Sequence, residues 1–168
     1  MLPHRVNLKN VKKISAARNY SAALTHSGEV YVWGHNHYGQ LGVSEDIVAV
    51  PKLIETGCFD IEAGEGVVAL VKEDCIMIAG FNNFKGFMKV EIFSRPVQMC
   101  VGDLFVAYVD RFGEVYRIGG AFSEKERKSF FYLKEIEKKF VKVDMGFFSG
   151  RVKKLFGKYS YHVAIVED

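Results

Sequence analysis

The sequence repeats itself, and an internal repeat limits the folds open to a chain more sharply than any single motif. ISAARNYSAALTHSGEVYVWG, from Ile14 to Gly34, aligns without a gap with MCVGDLFVAYVDRFGEVYRIG, from Met99 to Gly119, and the two share GEVY at Gly28–Tyr31 and Gly113–Tyr116. IEAGEGVVALVKEDCIMIAGFN, from Ile61 to Asn82, fits the same template with one residue missing, placed near Gly66. The closing glycines Gly34, Gly80 and Gly119 recur at roughly forty residues, the period of a four-stranded propeller blade and too long for a leucine-rich repeat. Helical repeats share that period, but AALTH and EVYVW are rich in β-branched and aromatic residues, which suit strands.

Each copy reads as a hairpin. THSGE joins two strand-like runs through Gly28, which can take the positive φ that a tight turn with a bulge requires. Gly113 holds the same place in the third copy, and Asp74 replaces it in the second; Asp tolerates such a conformation. Alternation along EVYVWG sets Val30 and Val32 against Tyr31 and Trp33 on opposite faces. Both faces are apolar, as expected of a strand lying between stacked sheets. Gly28, Gly34, Gly39, Gly42, Gly64, Gly80, Gly102, Gly113 and Gly119 are the expected turn positions.

The connecting stretches recur as well. VPKLIETGCFDIEAG, from Val50 to Gly64, sets against FYLKEIEKKFVKVDMG, from Phe131 to Gly146, matching Ile54 to Ile136 and Gly64 to Gly146. VKKLFGKYSYHVAIVED, from Val152 to Asp168, aligns gaplessly with VKKISAARNYSAALTHS, from Val11 to Ser27. A second register instead pairs SGRV, at 149–152, with SGEV of the first copy, and the sequence leaves both open. The expectation is one all-β repeat domain over 1–168: a propeller-like array of about four blades of antiparallel strands, partial or atypically small. Its copies fall at about 11–57, 58–95 and 96–139, with degenerate and half copies over 140–168. A half-built last copy implies self-pairing through open blade edges, docking of the edge on a partner, or a truncated product.

Composition agrees with a packed core in a chain of 168 residues with 49% hydrophobic content. MLPHRVNLKN lacks the apolar run of a secretory signal, and no stretch approaches the ~20 apolar residues of a membrane span. An intracellular protein, cytoplasmic or nuclear and without membrane contact, is expected. Cys58, Cys75 and Cys100 are widely spaced with no CxxC pair, so free buried thiols are expected rather than a zinc site. A formal charge of +3 does not by itself announce nucleic-acid binding. Lys138, Lys139, Lys142, Arg151, Lys153, Lys154 and Lys158 make the C-terminal region the more basic; this is weak support for a nucleic acid, since surface lysines ordinarily solvate a face. SEKERKSFFYLKEIEKKF, from Ser123 to Phe140, alternates charge sign and reads as a solvated loop plus an edge strand rather than a basic helix.

Catalytic signatures are not found. The letters HNH, at His35–His37, are not a nuclease motif, whose residues are dispersed through a longer unit. Two histidines at i and i+2 share a face only on a strand, and a metal site needs further ligands. A turn with polar tips is expected there, with no metal. No G-x-S-x-G elbow occurs, and Gly64-Glu65-Gly66 precedes no helix that could bind a phosphate. No catalytic, cofactor-binding or metal-binding residue is assigned.

VKKISAARNYSAALTHSGEVYVWGHNHYGQLG, from Val11 to Gly42, resembles a repeat of the regulator of chromosome condensation family, whose pattern runs through a VYxWG-like strand into NxxGQLG. The second copy keeps Gly80, Asn82 and Gly86 but not the Gln-Leu-Gly ending, and the third departs after Ala121. The resemblance implies a closed seven-bladed propeller in the family and, among its members, nucleotide exchange on a small nuclear GTPase, chromatin association, or interaction modules. No exchange wedge is recognisable here. The expected function is therefore a non-catalytic protein–protein interaction module binding another protein, a small GTPase or a scaffold. The alternative is a guanine-nucleotide exchange factor or regulator of a small GTPase, with or without association with chromatin. Candidate partner-binding residues are His35, Asn36, His37, Tyr38, Phe81, Asn82 and Phe84, which follow the WG or AG position in the first two copies.

Overall fold

The computed structural model describes residues 5–80, 84–103, 105–119, 140–143, 151–158 and 161–167. Among them every regular element is a strand, and no helix is long and apolar enough to cross a membrane. Strands β1 (Val11–Ala16), β2 (Tyr20–Thr25), β3 (Val30–His35) and β4 (Ile47–Glu55) form one antiparallel meander. A second is made by β5 (Asp60–Ala63), β6 (Val67–Val71), β7 (Cys75–Gly80) and β8 (Phe84–Glu91). The third comprises β9 (Pro96–Val101), β10 (Phe105–Asp110), β11 (Val115–Gly119) and β12 (Val141–Lys142), and β13 (Arg151–Lys158) pairs with β14 (Tyr161–Glu167).

Successive sheets pack face to face. β5 lies against β1 and β2, β9 against β5 and β6, and β13 against β9 and β10, so the first strand of each sheet is the innermost. The result is a partial propeller. Among the described residues the core consists of three inter-blade layers. Leu24, Val30 and Val32 meet Ile61, Val68 and Leu70 between the first and second blades. Val67, Ile76 and Ile78 meet Met99, Val106 and Tyr108 between the second and third. Cys100, Phe105 and Val109 meet Val152 and Leu155 at the end of the stack. Each fully buried Leu or Ile contributes roughly 1.5–3 kcal/mol of transfer free energy, so these layers hold the array together.

Register explains the repeated glycines. Tyr20 opposes Gly34, Val67 opposes Gly80 and Phe105 opposes Gly119, in each case joining the start of the second strand to the end of the third. The three glycines have φ of +113°, +104° and +76°, a region that side chains with a Cβ avoid. Gly64 and Gly102 do not share this conformation; they serve close approach, since a Cβ on Gly64 would lie 2.0 Å from the Gly102 carbonyl oxygen.

Two sequence expectations need correction. The missing residue of the second copy lies in its hairpin and not near Gly66: the hairpins close on Leu24–Val30 and Val109–Val115 in the flanking blades but on Val71–Ile76 in the second. Lys72 N–H donates to the Cys75 carbonyl at 2.9 Å, and Asp74 has no positive φ, because the shorter turn has no place for the left-handed residue. Val141–Lys142 pairs with Arg117 and Tyr116 and so completes the third blade. It does not open the next one, as the alignment of Phe131–Gly146 with Val50–Gly64 implied, and the third blade extends past residue 139.

The competing C-terminal registers are also resolved. Val152 opposes Val166 and Leu155 opposes Ala164, the positions matching Val11 opposite Thr25 and Ile14 opposite Ala23. A bulge falls at the same step, between Val11 and Lys13 and between Val152 and Lys154. β13 and β14 are therefore the counterparts of β1 and β2, and SGRV does not take the place of SGEV.

Candidate functional site

Antiparallel alternation carries the β1–β2 turn, the β3–β4 loop and the β5–β6 turn to the same end of the stack. The β3–β4 loop is organised from within by Asn36, which is fully buried. Its amide nitrogen donates to the carbonyls of Val43 at 2.9 Å and Glu45 at 2.7 Å, and its side-chain oxygen accepts from Leu41 N–H at 2.8 Å. Gln40, also buried, donates to the His35 carbonyl and accepts from Tyr38 N–H, both at 2.9 Å. Leu41 plugs the loop into the first inter-blade layer, and Gly42 passes so close to Phe87 of β8 that a Cβ would lie 2.1 Å from its ring. Asn36 thus serves the loop itself, a correction to its expected partner-facing role.

His35, His37 and Tyr38 project to solvent from this scaffold, Tyr38 being 57% exposed. Next to them, Tyr38 and the Asp103 carbonyl flank Gly66, and Arg18 pairs with Glu65 at 3.0 Å. Burial, and then the Glu65 charge, push the Asp103 carboxyl above its ordinary value. Phe81 and Asn82 lie outside the described residues; Phe84 opens β8, and nothing of its side chain is described.

Polar contacts bind the first two blades below this end. The Tyr20 hydroxyl reaches the carbonyls of Gly64 at 2.6 Å and Val67 at 2.8 Å, and burial holds its phenol far above the ordinary value. Lys13 bridges Asp60 and Glu62, each at 2.8 Å, while Ser15 donates to Glu62 and accepts from Ala63 N–H. In the last interface Gln98 imitates a strand, donating to Leu155 O at 2.8 Å and accepting from Leu155 N–H at 3.0 Å.

On the opposite face of the first blade Ile14 and Leu53 are exposed, where a partial array of blades was expected to have open edges. Register links Ile14, Ala23, Tyr31 and Leu53 in one row across four strands. The matching rows are Ile61, Leu70, Met77 and Lys89 in the second blade, and Met99, Tyr108, Tyr116 and Lys142 in the third. Ile61, Met99 and Leu155 are covered by the preceding sheet and at most 2% exposed, whereas Ile14 is 72% exposed. At the rim, Lys89 and Lys142 are ion-paired to Asp74 and Glu114, but the first blade places Leu53 there, 45% exposed. Residues 5–10 cross the outer part of this face and leave a cavity of about 670 Å³ lined by Leu8, Tyr31, Trp33, Val50 and Pro51 among others.

Sequence models described as the regulator of chromosome condensation (RCC1) repeat match residues 11–40 and 27–71. The secretion-regulating guanine nucleotide exchange factor of Bos taurus is 43% identical over 49 residues, 29% of this chain and 11% of that protein. Protein RCC1 of Candida albicans is 31% identical over 84 residues, 43% of this chain and 18% of that protein. The structure of Prp20p from Saccharomyces cerevisiae, a protein characterised for binding Gsp1p and histones, superposes with a TM-score of 0.73 at 18% identity, covering 96% of this chain and 45% of that one. Human WBSCR16 gives 0.73 at 14% identity, covering 95% and 45%. The chain spans less than half the length of these solved proteins and a smaller part of the sequence relatives.

Proposed function

Because this chain is a divergent member of the regulator of chromosome condensation repeat family, spanning part of the family's propeller, we propose that it is a non-catalytic interaction module that binds another protein through the uncovered face of its first blade. The observation that carries this reading is the exposure of Ile14 and Leu53 at the two ends of the row Ile14–Ala23–Tyr31–Leu53. The second and third blades bury the first position of this row and end it in a paired lysine, whereas the first blade leaves Ile14 and Leu53 exposed, and exposed apolar side chains grouped on one face mark association sites. The simplest partner is a second copy of the chain, because the hairpin β13–β14 repeats the pairing of β1–β2. Three free, buried cysteines suit a reducing compartment, cytoplasm or nucleus.

Leu53→Lys tests the proposal, since it copies the residue already tolerated in the second and third blades. Light scattering at tens of micromolar should give a mass above the monomer for the wild type and the monomer mass for Leu53→Lys. A strictly monomeric wild type removes self-association, and retention of a co-purified partner by both proteins removes the face as its docking site.

A second reading has the support of the sequence relatives: exchange or regulation on a small GTPase. Gsp1p loaded with a fluorescent nucleotide is the probe. Release accelerated by the chain supports this reading, and an unchanged rate sinks it for that GTPase. The exposed cations Arg151, Lys153 and Lys154 of β13 also allow a nucleic-acid contact; absence of DNA binding at low salt excludes it.

A further inference from the structure

His35 and His37 are left unused by the proposed docking face. His35 ends β3 and His37 lies two positions later, in the turn that follows. Nδ1 of His35 lies 3.2 Å from Nε2 of His37, with ring centroids 5.1 Å apart, and both residues are exposed. The backbone beneath them is fixed. His35 N–H donates to Asn19 O and Asn36 N–H to Asp46 O, Gln40 holds the His35 carbonyl, and the Asn36 side chain ties three further positions of the loop.

Imidazole nitrogens bind zinc and similar ions at about 2.0–2.1 Å. Two such bonds to nitrogens 3.2 Å apart enclose about 100° at the ion, between the square-planar and tetrahedral values. We propose that His35 and His37 form a two-nitrogen chelate for a late first-row divalent transition ion. Copper(II) is held most tightly, as the stability order of such ions requires, and zinc less so. Without an ion, one ring donates a proton to the other across the same gap. With an ion, both nitrogens offer lone pairs, and the bridging proton moves to the remaining nitrogen of its own ring. No third His, Cys, Asp or Glu joins a metal-holding group among the described residues, so water completes the coordination and the ion exchanges readily, unlike one in a closed structural site.

Copper(II) titrated into the full chain in a non-coordinating buffer near neutral pH tests the assignment. One equivalent should bind with two equatorial nitrogens in its electron paramagnetic resonance spectrum. Affinity should fall by at least about tenfold in His35→Ala and in His37→Ala, with thermal midpoints unchanged, and should be untouched in His26→Ala and His4→Ala. Equal affinity in the wild type and in both site variants overturns the proposal, as does loss of the bound equivalent in His4→Ala alone.

Discussion

Tyr20 and Gly34 stand opposite each other across the β2–β3 ladder, and a Cβ on Gly34 would lie 2.6 Å from Tyr20 Cα and 2.5 Å from the Asn19 carbonyl oxygen. Such distances cannot be relieved by turning a side chain, because backbone stands on the other side. Gly34→Ala should lower stability by on the order of 3 kcal/mol in urea denaturation, combining the clash with strain at φ +113°. Gly57→Ala is the matched control. Its φ is +68° and a Cβ there would meet nothing within 4 Å, so conformation alone should cost about 1–2 kcal/mol. Equal losses at the two sites would contradict the steric account.

Asn36 holds the β3–β4 loop by three side-chain hydrogen bonds while fully buried. Asn36→Ala strands two carbonyls and an N–H, and should cost about 3 kcal/mol or more given the penalty for unmade buried bonds. Limited proteolysis should then cut within residues 36–46. An intact, protease-resistant loop in this variant would show that Leu41 and Phe87 suffice to hold it.

Lys13 has a weaker effect with a definite pH signature. Burial opposes its charge, but hydrogen bonds to Asp60 and Glu62 more than compensate and leave it above its ordinary value. A cation whose folded pKa is raised adds stability that is fully present below the unfolded value near 10.5 and is lost as pH rises through the higher folded value. The side chains in this bridge are about a third exposed, so Lys13→Met should cost below about 1 kcal/mol at pH 7. The difference between the wild type and Lys13→Met should shrink above pH 10.5; a difference that persists there would assign the effect to packing of the lysine stem.

Cys58, Cys75 and Cys100 are free and buried. Burial pushes the Cys58 thiol up to about 11 and the Cys100 thiol up to about 12, and raises Cys75 as well. All three should resist iodoacetamide at pH 8 in the native state and react promptly in denaturant. The sign for stability follows: thiols ionise first in the unfolded chain, so these groups destabilise the fold as pH climbs past 9. Rapid native labelling of one cysteine would identify a sheet that opens locally.

The half copy at the C-terminal end was one of two registers the letters left open, and the bulge that β1 and β13 share at the same step decides between them, because a pairing offset is physical where an alignment offers only similarity. The misplaced gap in the second copy has an equally physical origin. A deletion in a hairpin turn leaves both strands in phase with their partners, so the alignment slid it to the nearest unusual glycine, Gly66. Asn36 was legible as a loop residue but not as an enclosed one, since its direction depends on Leu41 and on Phe87 from a strand of the next blade. Open blade edges were expected, but which residues form them was not legible. Ile14 and Ile61 are equivalent letters, and only the stacking of sheets distinguishes them.

The contacts between sheets run from β1 and β2 to β5, from β5 and β6 to β9, and from β9 and β10 to β13, so each blade is joined to the next in series. Cooperativity in such a chain is transmitted like tension along a linked row: each sheet feels a distant one only through those between them. A weakened link at Tyr20 or Gln98 would divide one melting transition into two, and the blades on either side would then lose their structure at separate temperatures.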